Sequence, residues 1–196
     1  MSKQVLILHG WTNRRQEGNW QRRAAAALRQ QGHQVHYPQL PSTDEPRFAD
    51  WAEVALNELA QIAESNQGHE VVVIGHSLGA VTWLKLASES LIEKPVSRVL
   101  LVAPADPELL IDIPDFIFEP SKVSAHVAAA ASNTLVIGSD EDPWQPNGID
   151  KTFAEPLGIP SVIVPGARHF SLSDGFGPWA GVINWVLDPA SDLSVR

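Results

Sequence analysis

An α/β fold, with six mainly parallel strands flanked by helices in a single domain, is predicted by three observations on this sequence. Six short apolar segments recur along the chain, and helical patterns lie between most of them. The 196 residues are 44% hydrophobic, enough for one domain with a proper core. The expected strands are Val5–Leu8, Gln34–Tyr37, Val71–Ile74, Val99–Val102, Thr134–Ile137 and Ser161–Val164. Val71-Val72-Val73-Ile74 is apolar without alternation, the pattern of a strand buried on both faces. Strands alternating with helices imply right-handed crossovers and a sheet covered on both sides, here in the spatial order 2-1-3-4-5-6.

The helices follow from spacing and from their end signals. Asn19 suits an N-cap, with Trp20, Ala24, Ala27 and Leu28 on one face behind it and Gly32 as the stop. Phe48, Trp51, Ala55, Leu59 and Ile62 repeat at helical spacing in a second helix. Pro178 fits the first turn of a last helix whose Val182, Ile183 and Val186 face inward. Trp20, Trp51, Trp83 and Trp185 fall in helices and are expected in the core. One stretch breaks the alternation. Ala103–Ser132 carries Pro104, Pro107, Pro114 and Pro120 among apolar residues and shows no clear single helix. It is expected to lie across the carboxyl ends of the strands as a small lid or pocket wall.

Composition removes several function classes. A net charge of −9 argues against nucleic acid as a partner, since phosphates are bound by clustered Lys and Arg. The absence of cysteine excludes disulfides, thiolate catalysis and Cys-based zinc sites. No phosphate-binding glycine loop and no His-Glu-x-x-His is present, and His33 with His36 reads as an exposed pair beside a short strand. No metal and no cofactor are expected. No apolar run reaches the ~20 residues of a membrane span. With a strand starting at Val5 there is no room for a signal peptide, so the expected setting is cytoplasmic, without membrane association.

The chemistry is carried by Gly75-His76-Ser77-Leu78-Gly79, directly after the Val71–Ile74 strand and directly before the helical stretch Ala80–Ala87. Strand, Gly-x-Ser-x-Gly and helix in succession describe the nucleophile elbow of an α/β-hydrolase. The turn is tight enough to strain Ser77 and push its hydroxyl out beyond the sheet edge. A serine hydroxyl needs a base to remove its proton, and in this fold the chain order is Ser, then Asp or Glu, then His. Of seven histidines, only His169 follows a plausible acid late in the chain, in the loop after the last strand; His126, its competitor after Ser77, precedes the expected acid. The segment Ser139-Asp140-Glu141-Asp142-Pro143-Trp144 offers three carboxylates after the fifth strand. Asp142, dressed by Pro143 and Pro146, is the expected acid; Asp140, Glu141 and Asp106 are the alternatives. It would accept from His169 Nδ1–H and stabilise the imidazolium. The oxyanion is expected to be held by two backbone N–H groups, those of Leu78 and of Trp11 in the His9-Gly10-Trp11 loop. His9 itself is expected to be structural. Trp11, His76 and Trp144 are expected in the substrate pocket.

By these residues the chain resembles the small serine hydrolases grouped with retinoblastoma-binding protein 9 and the bacterial YdeN proteins. The resemblance covers nearly the whole chain. It includes His9-Gly10-Trp11, Asn19-Trp20, Pro38 to Pro41, Arg47 after Pro46 with Asp50-Trp51, Gly75 to Gly79, Asp140 to Trp144, and His169. It implies a single α/β-hydrolase domain with no large cap and a triad at Ser77, Asp142 and His169. The vertebrate member is named for a Leu-x-Cys-x-Glu segment; this chain has no cysteine, so the resemblance does not carry retinoblastoma protein over as a partner. The expected activity is hydrolysis of small carboxylic esters, or amides, through an acyl-enzyme on Ser77. The alternatives are acyl transfer or peptide cleavage on the same triad, and a binding module that keeps the fold without turnover.

Overall fold

Each of the six apolar segments joins one wholly parallel sheet, in the order β2-β1-β3-β4-β5-β6, in a computed structural model that describes residues 2–196. The strands are β1 (Lys3–Leu8), β2 (Gln34–His36), β3 (Glu70–His76), β4 (Val96–Val102), β5 (Ala131–Gly138) and β6 (Ser161–Ile163). Most run longer than the apolar segments that announce them. Ladder hydrogen bonds bind the backbone whatever the side chain, so β1 begins at Lys3 and β4 takes in the buried Arg98. Strand residues alternate between two cores. Val5, Ile7, Val72 and Ile74 pack beneath α1 (Trp20–Gln30) and α6 (Ala180–Leu187). Leu6, Leu8, Val73 and Leu101 pack beneath α2 (Phe48–Ser65) and α3 (Leu78–Ser88).

The end signals hold in part. Asn19 Oδ1 accepts from Gln21 N at 2.9 Å and caps α1 as its position predicts. Pro178 falls outside α6, whose N-cap is Trp179; that indole is buried and donates to Leu193 O, so packing rather than the proline sets the helix start. Ala103–Ser132 contains three short 3₁₀ turns and one helix that its prolines hide, α4 (Ser124–Ala130), which leads straight into β5. The segment is tied down by its apolar residues. Phe116 is buried edge-to-face against Phe48 and Trp51, and Leu110, Val123 and Val127 join the same core. Between β5 and β6 a π-helical turn (Asp150–Ala154) runs into α5 (Glu155–Leu157). Among the described residues no helix is long and apolar enough to cross a membrane.

Two close approaches fix the strand ends where β1 and β3 meet. A Cβ on Gly79 would stand 2.4 Å from Leu8 O, and one on Gly75 would stand 2.6 Å from Ala80 Cα. Only glycine lets α3 turn back this tightly over β1 and β3.

Candidate active site

Ser77 sits at the turn between β3 and α3 with φ 53° and ψ −122°, a conformation that costs a non-glycine residue on the order of 1–3 kcal/mol. The cost is carried by the packing of both glycines and by Ser77 N–H, which donates to Val102 O at 2.9 Å. The strain turns Oγ outward to His169 Nε2 at 2.8 Å. On the far side of the ring, His169 Nδ1 lies 3.0 and 2.9 Å from the two oxygens of Asp142, whose side chain is wholly buried. The tautomer that satisfies both contacts has its proton on Nδ1, donating to the carboxylate, and a free lone pair on Nε2 facing the serine hydroxyl. Asp142 Oδ1 also accepts from Trp144 N at 2.9 Å, which fixes the carboxylate from its own loop.

The other expected carboxylates lie elsewhere in the architecture. Asp140 accepts from Gly166 N at 2.8 Å and ties the β5 loop to the β6 loop. Asp106 caps the turn at Glu108 N and receives Asn147 Nδ2 at 3.2 Å. Glu141 is exposed, and so is His126 on the outer face of α4. His33 and His36 are half-buried rather than exposed: Lys3 N donates to His33 Nδ1, and His36 Nδ1 meets Glu58 at 2.6 Å. Among the described residues no cluster of His, Cys, Asp and Glu could hold a metal.

The loop of β1 lies directly against the serine. A Cβ on Gly10 would stand 2.8 Å from Ser77 Cβ, so lack of space rather than an unusual φ requires glycine there. Within the described residues neither Trp11 N–H nor Leu78 N–H has an acceptor in the protein, and Leu78 opens the positive end of α3. His9 is buried beneath this loop. Its Nδ1–H donates to Gly10 O at 3.0 Å and its Nε2 accepts from Leu40 N at 2.9 Å. Burial pushes its pKa down to about 4.

The His169 loop is held by partners that sequence order alone does not reveal. Arg168 and Phe170, on either side of His169, have φ of 50° and 54°, so the loop is strained and needs support. Asp174 supplies it, accepting from Ser171 Oγ at 2.6 Å, Ser171 N at 3.1 Å, His169 N at 3.3 Å and Arg168 Nε at 3.1 Å. Burial works against its charge, and these donors outweigh it, holding the carboxyl below its ordinary range. The spacing Ser171-x-x-Asp174 is a reciprocal capping pattern and was the available signal. His76 braces the same loop from the sheet side, its Nε2–H donating to His169 O at 2.9 Å. Its ring is buried edge-on against Trp20, and its Nδ1 finds no partner among the described residues. Burial, with the neighbouring His169 adding to it, pushes the His76 pKa down to about 3.

A cavity of about 840 Å³ opens over Ser77 and His169. Trp11, His76 and Trp144 all line it; the Trp11 and Trp144 rings stand 6.2 Å apart and tilted, with Trp144 the more exposed. Ala105 and Leu110, from the proline-rich segment, complete the apolar side.

A model of the family described as serine hydrolase matches residues 5–187. The chain is similar to the ydeN gene product from B. subtilis, with 22% identity and a TM-score of 0.75, over 95% of this chain and 97% of that one. It is similar to a YdeN-like hydrolase from Pectobacterium atrosepticum, with 20% identity and a TM-score of 0.71, over 100% and 94% of the two chains. Est1E from Butyrivibrio proteoclasticus shares the fold at 17% identity and a TM-score of 0.66, over 95% and 88%. No curated protein sequence matches it. With the family model running from within β1 to the end of α6 and taking in the Ser77 elbow, the chain belongs to the serine hydrolase family.

Proposed function

We propose that the protein is a carboxylesterase that cleaves esters of short acids through an acyl-enzyme on Ser77. The observation that carries this reading is the unbroken contact chain from Ser77 Oγ through His169 to the buried Asp142. Oγ attacks the ester carbonyl carbon while its proton passes to His169 Nε2, and Asp142 stabilises the imidazolium. The oxyanion so formed is received by Trp11 N–H and Leu78 N–H, neither of which has an acceptor among the described residues. Each such donor typically lowers the barrier by ~2.7–4 kcal/mol. Collapse expels the alcohol, which takes the proton from His169. Water then attacks the acyl carbon by the same route, giving its proton to His169 and freeing the acid and Ser77.

The acyl group is placed along the apolar side of the cavity. Leu110 and Ala105 close that side and are anchored in the core, so Ala103–Ser132 serves as a fixed wall rather than a moving lid. A chain that outgrows this wall leaves methylenes in water, each forgoing ~0.8 kcal/mol of burial, or about fourfold in kcat/KM. The test is a series of p-nitrophenyl esters from acetyl to dodecanoyl. kcat/KM is expected to stop rising at or before hexanoyl, an order-of-magnitude limit set by pocket size. A value still climbing at dodecanoyl would mean a long acyl tunnel and contradict the fixed wall.

A further inference from the structure

The cavity over Ser77 has two chemically different sides, built from different parts of the chain. The apolar side joins Ala105 and Leu110 to the β5 loop, where Asp106 N donates to Trp144 O at 2.9 Å. The opposite side comes from the loop that leads into α1 and the loop after His169. These two loops touch each other: the Leu172 methyls lie against Gly18, and Trp20 Nε1–H donates to Phe170 O at 2.9 Å. Its lining side chains include Thr12, Gln16, Asn19, Ser171 and Ser173, with the exposed Leu172 the apolar residue among them.

This polar side combines free donors with free acceptors and carries no net charge. Asn19 is 9% exposed; its Oδ1 is taken by the cap of α1, while its Nδ2 has no partner among the described residues. The Gln16 amide and the Thr12 hydroxyl likewise make no hydrogen bond within the described protein, so they can both donate and accept. Ser171 Oγ–H donates to Asp174, which leaves Ser173 Oγ–H to donate to Ser171 at 2.7 Å and the Ser173 lone pairs to accept. No Asp, Glu, Lys or Arg lines the cavity. None of the nearby arginines lines the cavity: Arg14 pairs with Asp44, Arg168 pairs with Asp174, and Arg15 lies 4.7 Å over the Tyr37 ring; Glu17 is outside the lining as well. A carboxylate or phosphate would need donors of one kind and a cation; an ammonium would need acceptors and an anion. Hydroxyl groups, which donate and accept at once, match a mixed neutral set.

We infer that the alcohol half of the substrate is an uncharged polyhydroxylated group, a glycerol or sugar, seated against Asn19, Gln16 and Ser173 while the acyl half lies on the apolar side. This rests on the esterase reading above.

The experiment compares kcat/KM for the butyrate esters of glycerol, ethanol, choline and glycerol 3-phosphate, so that the acyl group is constant. The glycerol ester is expected to exceed the ethyl ester by roughly tenfold or more, the worth of one or two net hydrogen bonds, and both charged esters to fall below the glycerol ester. Asn19→Asp retains an oxygen to cap Gln21 N and replaces the free donor by an acceptor; Gln16→Leu removes the second carboxamide. Each is expected to bring the glycerol-to-ethyl ratio down, and together to within about threefold of unity. A wild-type ratio near one, a charged ester that is the best substrate, or a ratio that neither variant moves would overturn the inference while leaving the esterase reading intact. No turnover on any of the four esters would overturn both.

Discussion

Asp142→Asn is expected to lower kcat by roughly 10⁴-fold with little change in fold, the scale set by loss of a triad aspartate that turns its histidine to the wrong tautomer. The physical reason lies in the two contacts that the carboxylate makes. The new amide keeps an oxygen for Trp144 N–H and therefore presents its NH₂ to His169 Nδ1. A donor facing Nδ1 forces the ring proton onto Nε2, and Nε2 can then no longer accept from Ser77 Oγ. Asp140→Asn, by contrast, keeps an oxygen for Gly166 N–H and is expected to cost about tenfold or less, since it loses at most one loop contact. Single-turnover and steady-state rates on a p-nitrophenyl ester check both, with circular dichroism to establish the fold. If Asp140→Asn is the damaging change and Asp142→Asn the mild one, the acid has been misassigned.

A steep loss of stability in mild acid is the second large effect expected, and its source is the pair of buried neutral histidines. Their pKa values are depressed to about 4 for His9 and about 3 for His76, against about 6.5 for an exposed histidine. The unfolded chain therefore takes up protons below ~6.5 that the folded chain refuses, so the stabilisation is fully present above ~6.5 and declines as pH falls towards the folded values. Two such groups together remove on the order of 2–3 kcal/mol per pH unit between ~6.5 and ~4, large against the 5–15 kcal/mol of a typical domain. The structure gives the refusal a cause: a proton on His9 Nε2 would face the Leu40 N–H already donating there, and one on His76 Nδ1 would be buried without an acceptor. Carboxylates held low in the fold, such as Asp174, lose their contribution only as pH drops through the carboxylate range, so the window from 6.5 to 4.5 reports the histidines. Urea midpoints should be level from pH 8 to 7 and fall steeply below 6.5. A midpoint unchanged down to pH 4.5 would show that these rings are solvated.

The parts of the fold legible in the sequence are those whose cause is local. The Val71–Ile74 run announces β3, Asn19 announces the start of α1, and Gly75 and Gly79 announce the elbow, because burial, capping and steric limits each act within a few residues. Strand ends were less legible. Lys3, Gln4 and Arg98 enter the sheet because a neighbouring ladder is there to pair with, a long-range cause that polarity conceals. α4 was hidden for the opposite reason: four prolines before it suggest irregular chain, and a seven-residue helix leaves little periodicity to detect. In the candidate site, Ser77, Asp142 and His169 stand out by order and motif. The supports do not. Asp174 and the His76 brace act through contacts with backbone groups of the His169 loop, and Asn19, readable as a cap, gives no sign of the free amide it brings to the cavity.

The central claim is that Ser77 is the activated nucleophile, and covalent labelling by a fluorophosphonate probe tests it most directly. Such a reagent reacts with a serine whose hydroxyl is deprotonated by a neighbouring base, the condition that the 2.8 Å contact to His169 Nε2 creates. The native protein is expected to take up one probe, with intact-mass and peptide mapping placing it on Ser77, and Ser77→Ala to take up none while keeping its circular dichroism spectrum. Labelling that persists in Ser77→Ala, or that maps to another serine of the native chain, would contradict the account.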